Sequence, residues 1–210
     1  MVKVKFCGVT NYDDALLVTN LGADYIGFNF YPESPRKISA NGARDIIEKL
    51  PPFITSVGVF VDEDVSAVEK NIKKTNIKIV QLHGKETPDY CRSVKEKTGC
   101  PVIKVFHIEG EGSLVDLADY KDTVDYFLLD ACVEGVPGGT GETFNWDAAA
   151  HAADFGKHIF LAGGLTPENV GNAIEKVAPF AVDVASGVER LPRRKDYEKM
   201  SAFIRHARGL

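Results

Sequence analysis

Eight short apolar runs, each followed by a stretch with helical periodicity, constrain this chain more than any other feature of it. The runs begin near Val2, Tyr25, Ile54, Ile77, Val102, Asp125, His158 and Phe180. Runs of this length and apolarity suit parallel strands buried on both faces. Between them apolar residues recur at helical spacing: Ala15, Leu16, Val18 and Leu21, then Ala43, Ile46, Ile47 and Leu50, then Val65, Val68 and Ile72. After the eighth run come Met200, Phe203, Ile204 and Ala207. Helix-start signals agree, with Asn11 and Asp14 spaced like a capping box, Ser39 before the second helix and Thr87-Pro88 opening the fourth. Alternation over 210 residues, about 26 per unit, predicts an α/β fold, a (β/α)8 TIM barrel forming a single domain over residues 1–210. An open doubly wound sheet would want a GxGxxG turn after the first strand, where the chain has Cys7-Gly8-Val9-Thr10.

The last β-α-β unit says most about chemistry. Ile159-Phe160-Leu161-Ala162 runs into Gly163-Gly164, and Ala181-Val182-Asp183-Val184 runs into Ala185-Ser186-Gly187. Between them Thr166 as N-cap, Pro167 at the first helical position, and Val170, Ala173, Ile174 and Val177 predict a helix. Small residues at both strand ends let main-chain N–H groups close on an anion, with the positive end of a following helix behind them. Glycines after strands are ordinarily tight turns. Two such ends on the last two strands match the phosphate site after strands 7 and 8 of a barrel, so Gly163, Gly164, Ser186 and Gly187 form the candidate phosphate grip.

Charge and cysteine usage exclude several classes. With 25 basic and 30 acidic residues the net charge is −5, and Arg193-Arg194-Lys195 is too short a cluster to make a nucleic-acid surface. No run approaches the roughly 18 apolar residues of a membrane span, and a first strand starting at Val2 leaves no room for a signal segment, so the expected location is cytoplasmic. Cys7, Cys91, Cys100 and Cys132 show neither a CxxC pair nor metal-ligand spacing, and the five histidines are scattered; free thiols and no metal are expected. No apolar surface patch stands out, and a monomer is expected.

In a barrel, groups that do chemistry belong at the C-terminal strand ends and in the loops that follow. Cys7 ends the first strand, Asp130 ends the sixth after Phe127-Leu128-Leu129, and Asp183 lies in the eighth. Each has a bland alternative: a buried cysteine packs like a small hydrophobe, and an aspartate can cap a loop. Together around a phosphate-holding mouth, Cys7 and Asp130 read as a base and an acid. The loop after the second strand offers Arg36, whose fork suits a carboxylate or phosphate, although a solvated arginine fits the spacing equally. The glycine-rich stretch from Ala131 to Thr143 reads as a lid, and Glu142 stands where a nucleotide-binding P-loop would need lysine.

Lys5-Phe6-Cys7-Gly8-Val9-Thr10, Gly27-Phe28-Asn29-Phe30-Tyr31-Pro32 with Ser34-Pro35-Arg36, and Val80-Gln81-Leu82-His83-Gly84 form a recognisable series with Leu129-Asp130 and Gly138-Gly139-Thr140-Gly141. The series continues through Phe144-Asn145-Trp146, Leu161-Ala162-Gly163-Gly164-Leu165 and Val182-Asp183-Val184-Ala185-Ser186-Gly187-Val188-Glu189. In this order, over nearly the whole chain, they resemble the phosphoribosylanthranilate isomerase family of tryptophan biosynthesis.

The resemblance implies an Amadori rearrangement of a small phosphorylated substrate, N-(5′-phosphoribosyl)anthranilate, to 1-(2-carboxyphenylamino)-1-deoxyribulose 5-phosphate, with no metal or organic cofactor. By resemblance, Asp130 is the general acid that protonates the ring oxygen and Cys7 the general base that removes the C2′ proton. Arg36 would meet the anthranilate carboxylate, Asp183 would lie near the bridging amine, and residues 163–164 and 186–187 would hold the phosphate. The chain departs from the pattern at Ala185, where serine is expected, at Asn145, where aspartate is usual, and at Arg193-Arg194, which replace a glycine-containing segment. Two rivals stand beside this reading: the histidine-pathway sugar isomerase, which needs a second phosphate grip after strands 3 and 4, and a non-catalytic barrel that only binds a phosphorylated ligand.

Overall fold

A computed structural model describes residues 1–108, 117–130 and 146–210. The expected lid, with Cys132, and the Asn145 departure lie outside the described residues. Strands β1 (Lys3–Phe6), β2 (Tyr25–Asn29), β3 (Thr55–Phe60), β4 (Ile79–Leu82), β5 (Val102–His107), β6 (Tyr126–Asp130), β7 (His158–Ala162) and β8 (Ala181–Val184) pair in chain order, and β8 returns onto β1 to close a barrel. Every barrel pairing is parallel. The helices are α1 (Tyr12–Asn20), α2 (Ala40–Ile47), α3 (Val65–Thr75), α4 (Pro88–Thr98), α5 (Leu117–Tyr120), α6 (Trp146–His151), α7 (Val170–Val177) and α8 (Tyr197–Arg208).

The expected starts hold where their chemistry is present. Asn11 accepts from the Asp14 N–H at 2.9 Å, and its own amide donates to the Asp14 carboxylate at 2.8 Å, so the return bond of the box runs side chain to side chain. Ser39 and Thr87 cap α2 and α4 through the N–H groups of Gly42 and Tyr90. The expected start at Thr166-Pro167 is corrected: residues 167–169 form a turn, and α7 begins at Val170. The reason is local. The Asn169 side chain accepts from the Thr166 N–H at 2.8 Å and donates to the Gly164 carbonyl at 3.0 Å, tying the segment into a turn before the helix can begin.

Alternation along the strands sorts side chains into two cores. Val4, Phe6, Ile26, Phe28, Val80, Leu82, Phe127, Leu129, Leu161 and Val182 join the cluster shared with helices such as α8, whose Phe203 ring lies 6.0 Å from that of Phe6. The opposite parity, including Tyr25, Val57, Ile79, Ile103, Val105, Leu128, Phe160 and Ala181, fills the barrel itself. Tyr25 and Tyr126 meet Phe160 edge-on at 5.2 and 5.6 Å, packing the floor with rings. Above that floor the inward parity turns polar, with Lys5 in β1, Gln81 in β4 and Asp183 in β8 all buried. The same parity continues to Cys7, His83, His107 and Asp130 at the rim. A two-stranded antiparallel hairpin, β9 (Glu189–Leu191) and β10 (Arg194–Lys195), intervenes between β8 and α8 and was not anticipated.

Candidate active site

Cys7 follows directly on β1, and its N–H donates to the Val184 carbonyl of β8 at 2.9 Å, which fixes it at the rim beside that strand. Gly27 of β2 makes the room: a Cβ there would stand 2.8 Å from the Cys7 sulfur. Two residues below, Lys5 and Asp183 are register partners, and the Lys5 Nζ stands 2.8 Å from Asp183 Oδ2. The Lys5 ammonium also interacts electrostatically with the Cys7 thiol. Burial works to lower the Lys5 pKa, but Asp183 and Cys7 hold the ammonium above its ordinary range. The second Asp183 oxygen, Oδ1, is buried with no hydrogen-bond partner among the described residues, as is Gln81 Oε1. A buried acceptor left unmade is costly, so these oxygens are places where a ligand donor would be welcomed.

Arg36 reaches the same side of the mouth, and it is not a solvated surface arginine. Its Nε and Nη2 donate to the two carboxylate oxygens of Glu189 at 2.9 and 2.7 Å, a fork-on-fork pair. Glu189 also receives Lys195 at 3.3 Å, and Lys195 donates to the carbonyls of Cys7 and Ala185 at 2.7 and 2.8 Å. Burial opposes ionisation of Glu189, yet Arg36 and Lys195 hold its carboxyl below the ordinary range. Burial pushes Lys195 down despite Glu189 and Cys7. For Cys7, burial pushes the thiol up and Asp183 adds to it, while Lys5 and Lys195 pull it back. The cations that chiefly favour the thiolate are Lys5 and Lys195, and Arg36 adds to them, since the Cys7 charge in turn raises the Arg36 pKa.

Asp130 sits at the end of β6, across the rim, with its carboxylate 3.4 Å from His83 Nε2. His107 is its register partner on β5. The expectation of scattered histidines is corrected, because His83 and His107 lie side by side, their rings tilted by 38° with centroids 5.5 Å apart. The loop carrying His83 is held below by carboxylates. Glu86 accepts from the Gly84 N–H at 2.9 Å, from the Asp62 N–H at 3.0 Å and from Lys104 at 3.0 Å, and Asp62 accepts from the Lys85 N–H at 2.6 Å.

The candidate phosphate grip comes together above β7 and β8. Gly163 and Gly164 adopt φ of 88° and 62°, a backbone that glycine takes without penalty, and a Cβ on Gly164 would project into open space. Gly187 packs so tightly on the neighbouring loop that a Cβ would lie 2.0 Å from the Leu165 carbonyl oxygen. The dipole expected from a following helix is reduced to one short turn: β8 runs straight into a single 3-10 turn at Ser186–Val188, and no α-helix starts at either strand end. The turn before α7 already occupies the N–H groups of Thr166, Glu168 and Asn169, and α8 begins only after the hairpin, capped by Asp196.

Lys5, Glu189, Lys195, His83 and His107 were not assigned roles from sequence. For His83 the signal was parity with Ile79, for His107 parity with Ile103 and Val105, and for Lys5 parity with Cys7 two residues on. For Glu189 and Lys195 none existed, since the hairpin that brings them in carries no apolar pattern.

The sequence model of the N-(5'phosphoribosyl)anthranilate (PRA) isomerase family matches residues 4–206 of the chain. The chain belongs to that family. A relative named N-(5'-phosphoribosyl)anthranilate isomerase from Trichlorobacter lovleyi is 48% identical over 208 residues, covering 99% of this chain and 98% of that protein. Among solved structures, phosphoribosyl anthranilate isomerase from Thermotoga maritima superposes with a TM-score of 0.93 at 42% identity, with both chains covered in full. A structure of the enzyme with reduced 1-(o-carboxyphenylamino)-1-deoxyribulose 5-phosphate superposes at 0.90 with 41% identity, again over the full length of both.

Proposed function

We propose that the mouth of this barrel converts N-(5′-phosphoribosyl)anthranilate to 1-(2-carboxyphenylamino)-1-deoxyribulose 5-phosphate, with Asp130 as acid and Cys7 as base. The observation that carries this reading is the placing of Cys7 two residues above the buried Lys5–Asp183 pair, on the same inward-facing rim as the Asp130 carboxyl. Asp130 gives its proton to the furanose oxygen as the C1′–O bond breaks and the anthranilate nitrogen lone pair forms a Schiff base. Cys7, as thiolate, removes the C2′ proton, and the freed electron pair moves toward the nitrogen to give an enolamine. Proton return to C1′ and loss of the 2′-hydroxyl proton yield the ketone. Lys5 and Lys195 counter part of the burial that disfavours the thiolate, and Asp183 Oδ1 accepts from the bridging amine.

Arg36, oriented by Glu189, offers Nη1 to the anthranilate carboxylate, and the backbone at residues 163–164 and 186–187 takes the phosphate. The chain is read as a single domain over 1–210, a monomer in the cytoplasm, working without a cofactor. Among the described residues no helix is long and apolar enough to cross a membrane.

The histidine-pathway isomerase is disfavoured by the loops after β3 and β4. Their N–H groups at Asp62, Gly84 and Lys85 already donate to carboxylates of Glu86 and Asp62, and the local negative charge would repel a second phosphate. The test is to supply freshly generated phosphoribosylanthranilate and follow loss of its fluorescence. Protein-dependent loss is expected; none would return the chain to a binding-only barrel.

A further inference from the structure

Three consecutive strands each bring one metal-capable side chain to the rim. His83 follows β4, His107 ends β5 and Asp130 ends β6, and one ligand atom from each lies within 4.8 Å of the other two. Among the described residues this is the one such group of three. We propose that His83, His107 and Asp130 form a binding site for a divalent ion of the zinc type.

Around zinc, bonds of about 2.0–2.2 Å at tetrahedral angles place ligand atoms roughly 3.3–3.5 Å apart. His83 Nε2 and Asp130 Oδ2, at 3.4 Å, already have that spacing. His107 is exposed, with its ligand atom within 4.8 Å of the other two, so closing on an ion asks only a small movement of a side chain in solvent. The loop of His83 is held in advance, by its N–H on the Phe60 carbonyl at 2.9 Å and by the Glu86 clamp on Gly84. Two imidazoles and one carboxylate suit zinc, nickel or copper, whereas magnesium and calcium want a shell built mostly of oxygens. Three protein ligands also leave one position for water.

An ion held there engages the Asp130 carboxylate. On the acid role proposed above for that residue, which this consequence alone rests on, zinc stops turnover without reaching Cys7.

The probe is cobalt(II), added to untagged, metal-free protein and followed by its d–d absorption, with zinc then added in competition. One equivalent is expected to bind without the near-ultraviolet charge-transfer band that a thiolate ligand adds. His107→Asn should weaken binding by at least the roughly 10- to 100-fold that loss of an outer-shell partner costs a metal site, while its turnover in chelator matches the parent. A thiolate band, equal affinity in a folded His107→Asn, or no binding at all overturns the site. Binding that His107→Asn abolishes but that leaves turnover intact keeps the site and removes Asp130 from the acid role instead.

Discussion

The ammonium of Lys5 and the carboxylate of Asp183 meet at 2.8 Å across the β1–β8 pairing, with the Lys5 side chain fully sealed from solvent and that of Asp183 nearly so. Each neutralises a charge that the barrel interior would otherwise have to tolerate alone, and removing one partner of such a buried pair costs about 3–5 kcal/mol. Lys5→Met should lower the unfolding free energy by roughly that amount. The double replacement Lys5→Met with Asp183→Leu should recover most of it while leaving the protein inactive. Urea denaturation measures the first effect and turnover the second. A Lys5→Met midpoint equal to the parent's would mean that the pair contributes nothing to folding.

The thiol predicts the shape of the pH profile. Cys7 is raised by burial, so in the free protein the thiolate forms only above the ordinary thiol range of about 8.5, and kcat/KM should still be climbing there. The sign for stability follows: the raised value favours the folded state fully below the unfolded thiol pKa, and that benefit is lost as pH rises through the folded one. Because Lys195 pulls the thiol down, Lys195→Met should move the rising limb to higher pH and regain activity in alkali. A pH-independent fall in rate would assign Lys195 only a structural role through the carbonyls of Cys7 and Ala185.

Cys7→Ala changes little volume and should cut kcat on the order of 10²- to 10⁴-fold with folding intact. Asp130→Asn keeps size but has no carboxylic proton to donate, so ring opening should become limiting. Circular dichroism with steady-state kinetics separates these losses from unfolding. Near-parent turnover in either variant would move that role to another residue.

Much of this was legible because a barrel repeats one rule eight times. Expected strand starts at Tyr25, Val102 and His158 coincide with the observed ones, since the apolar runs there are bounded by polar or small residues. Cys7, Asp130 and Asp183 were legible as strand-end polar groups. What escaped was whatever depends on pairing between strands. Lys5 reads as one of two lysines in a short stretch until the pleat turns it toward Asp183. His83 and His107 lie far apart in sequence, and only adjacency of β4, β5 and β6 joins them to Asp130. Glu189 and Lys195 enter through a hairpin whose one large apolar side chain, Leu191, is exposed, so no apolar face marks it in the sequence.

That hairpin also explains one departure from the family pattern. Arg193 adopts φ of 70°, and its carbonyl accepts from the Thr10 hydroxyl at 3.3 Å and the Asn11 amide at 3.4 Å, so the turn is pinned in a left-handed conformation. Such a backbone costs a non-glycine residue of order 1–3 kcal/mol, and glycine returns part of this as unfolded-state entropy. Arg193→Gly should therefore stabilise the protein by about 1 kcal/mol, read as a higher thermal midpoint with turnover unchanged. A lower midpoint would mean that the arginine side chain makes up the strain elsewhere.

The two ends of the substrate can be told apart by binding alone. Gly164 faces open space at φ 62°, so Gly164→Val both places a side chain where an anion would approach the backbone and strains the turn. Affinity for inorganic phosphate and for a ribulose 5-phosphate product analogue should fall, and that for anthranilate should not. Arg36→Lys keeps a cation beside Glu189 but loses the planar fork, so the carboxylate end should suffer instead. Anthranilate should then bind more weakly while inorganic phosphate is nearly unaffected. Calorimetry on both folded variants decides the matter. Equal losses of both ligands in both proteins would place phosphate and carboxylate in one shared pocket, and the orientation argued from Arg36 and Gly164 would be wrong.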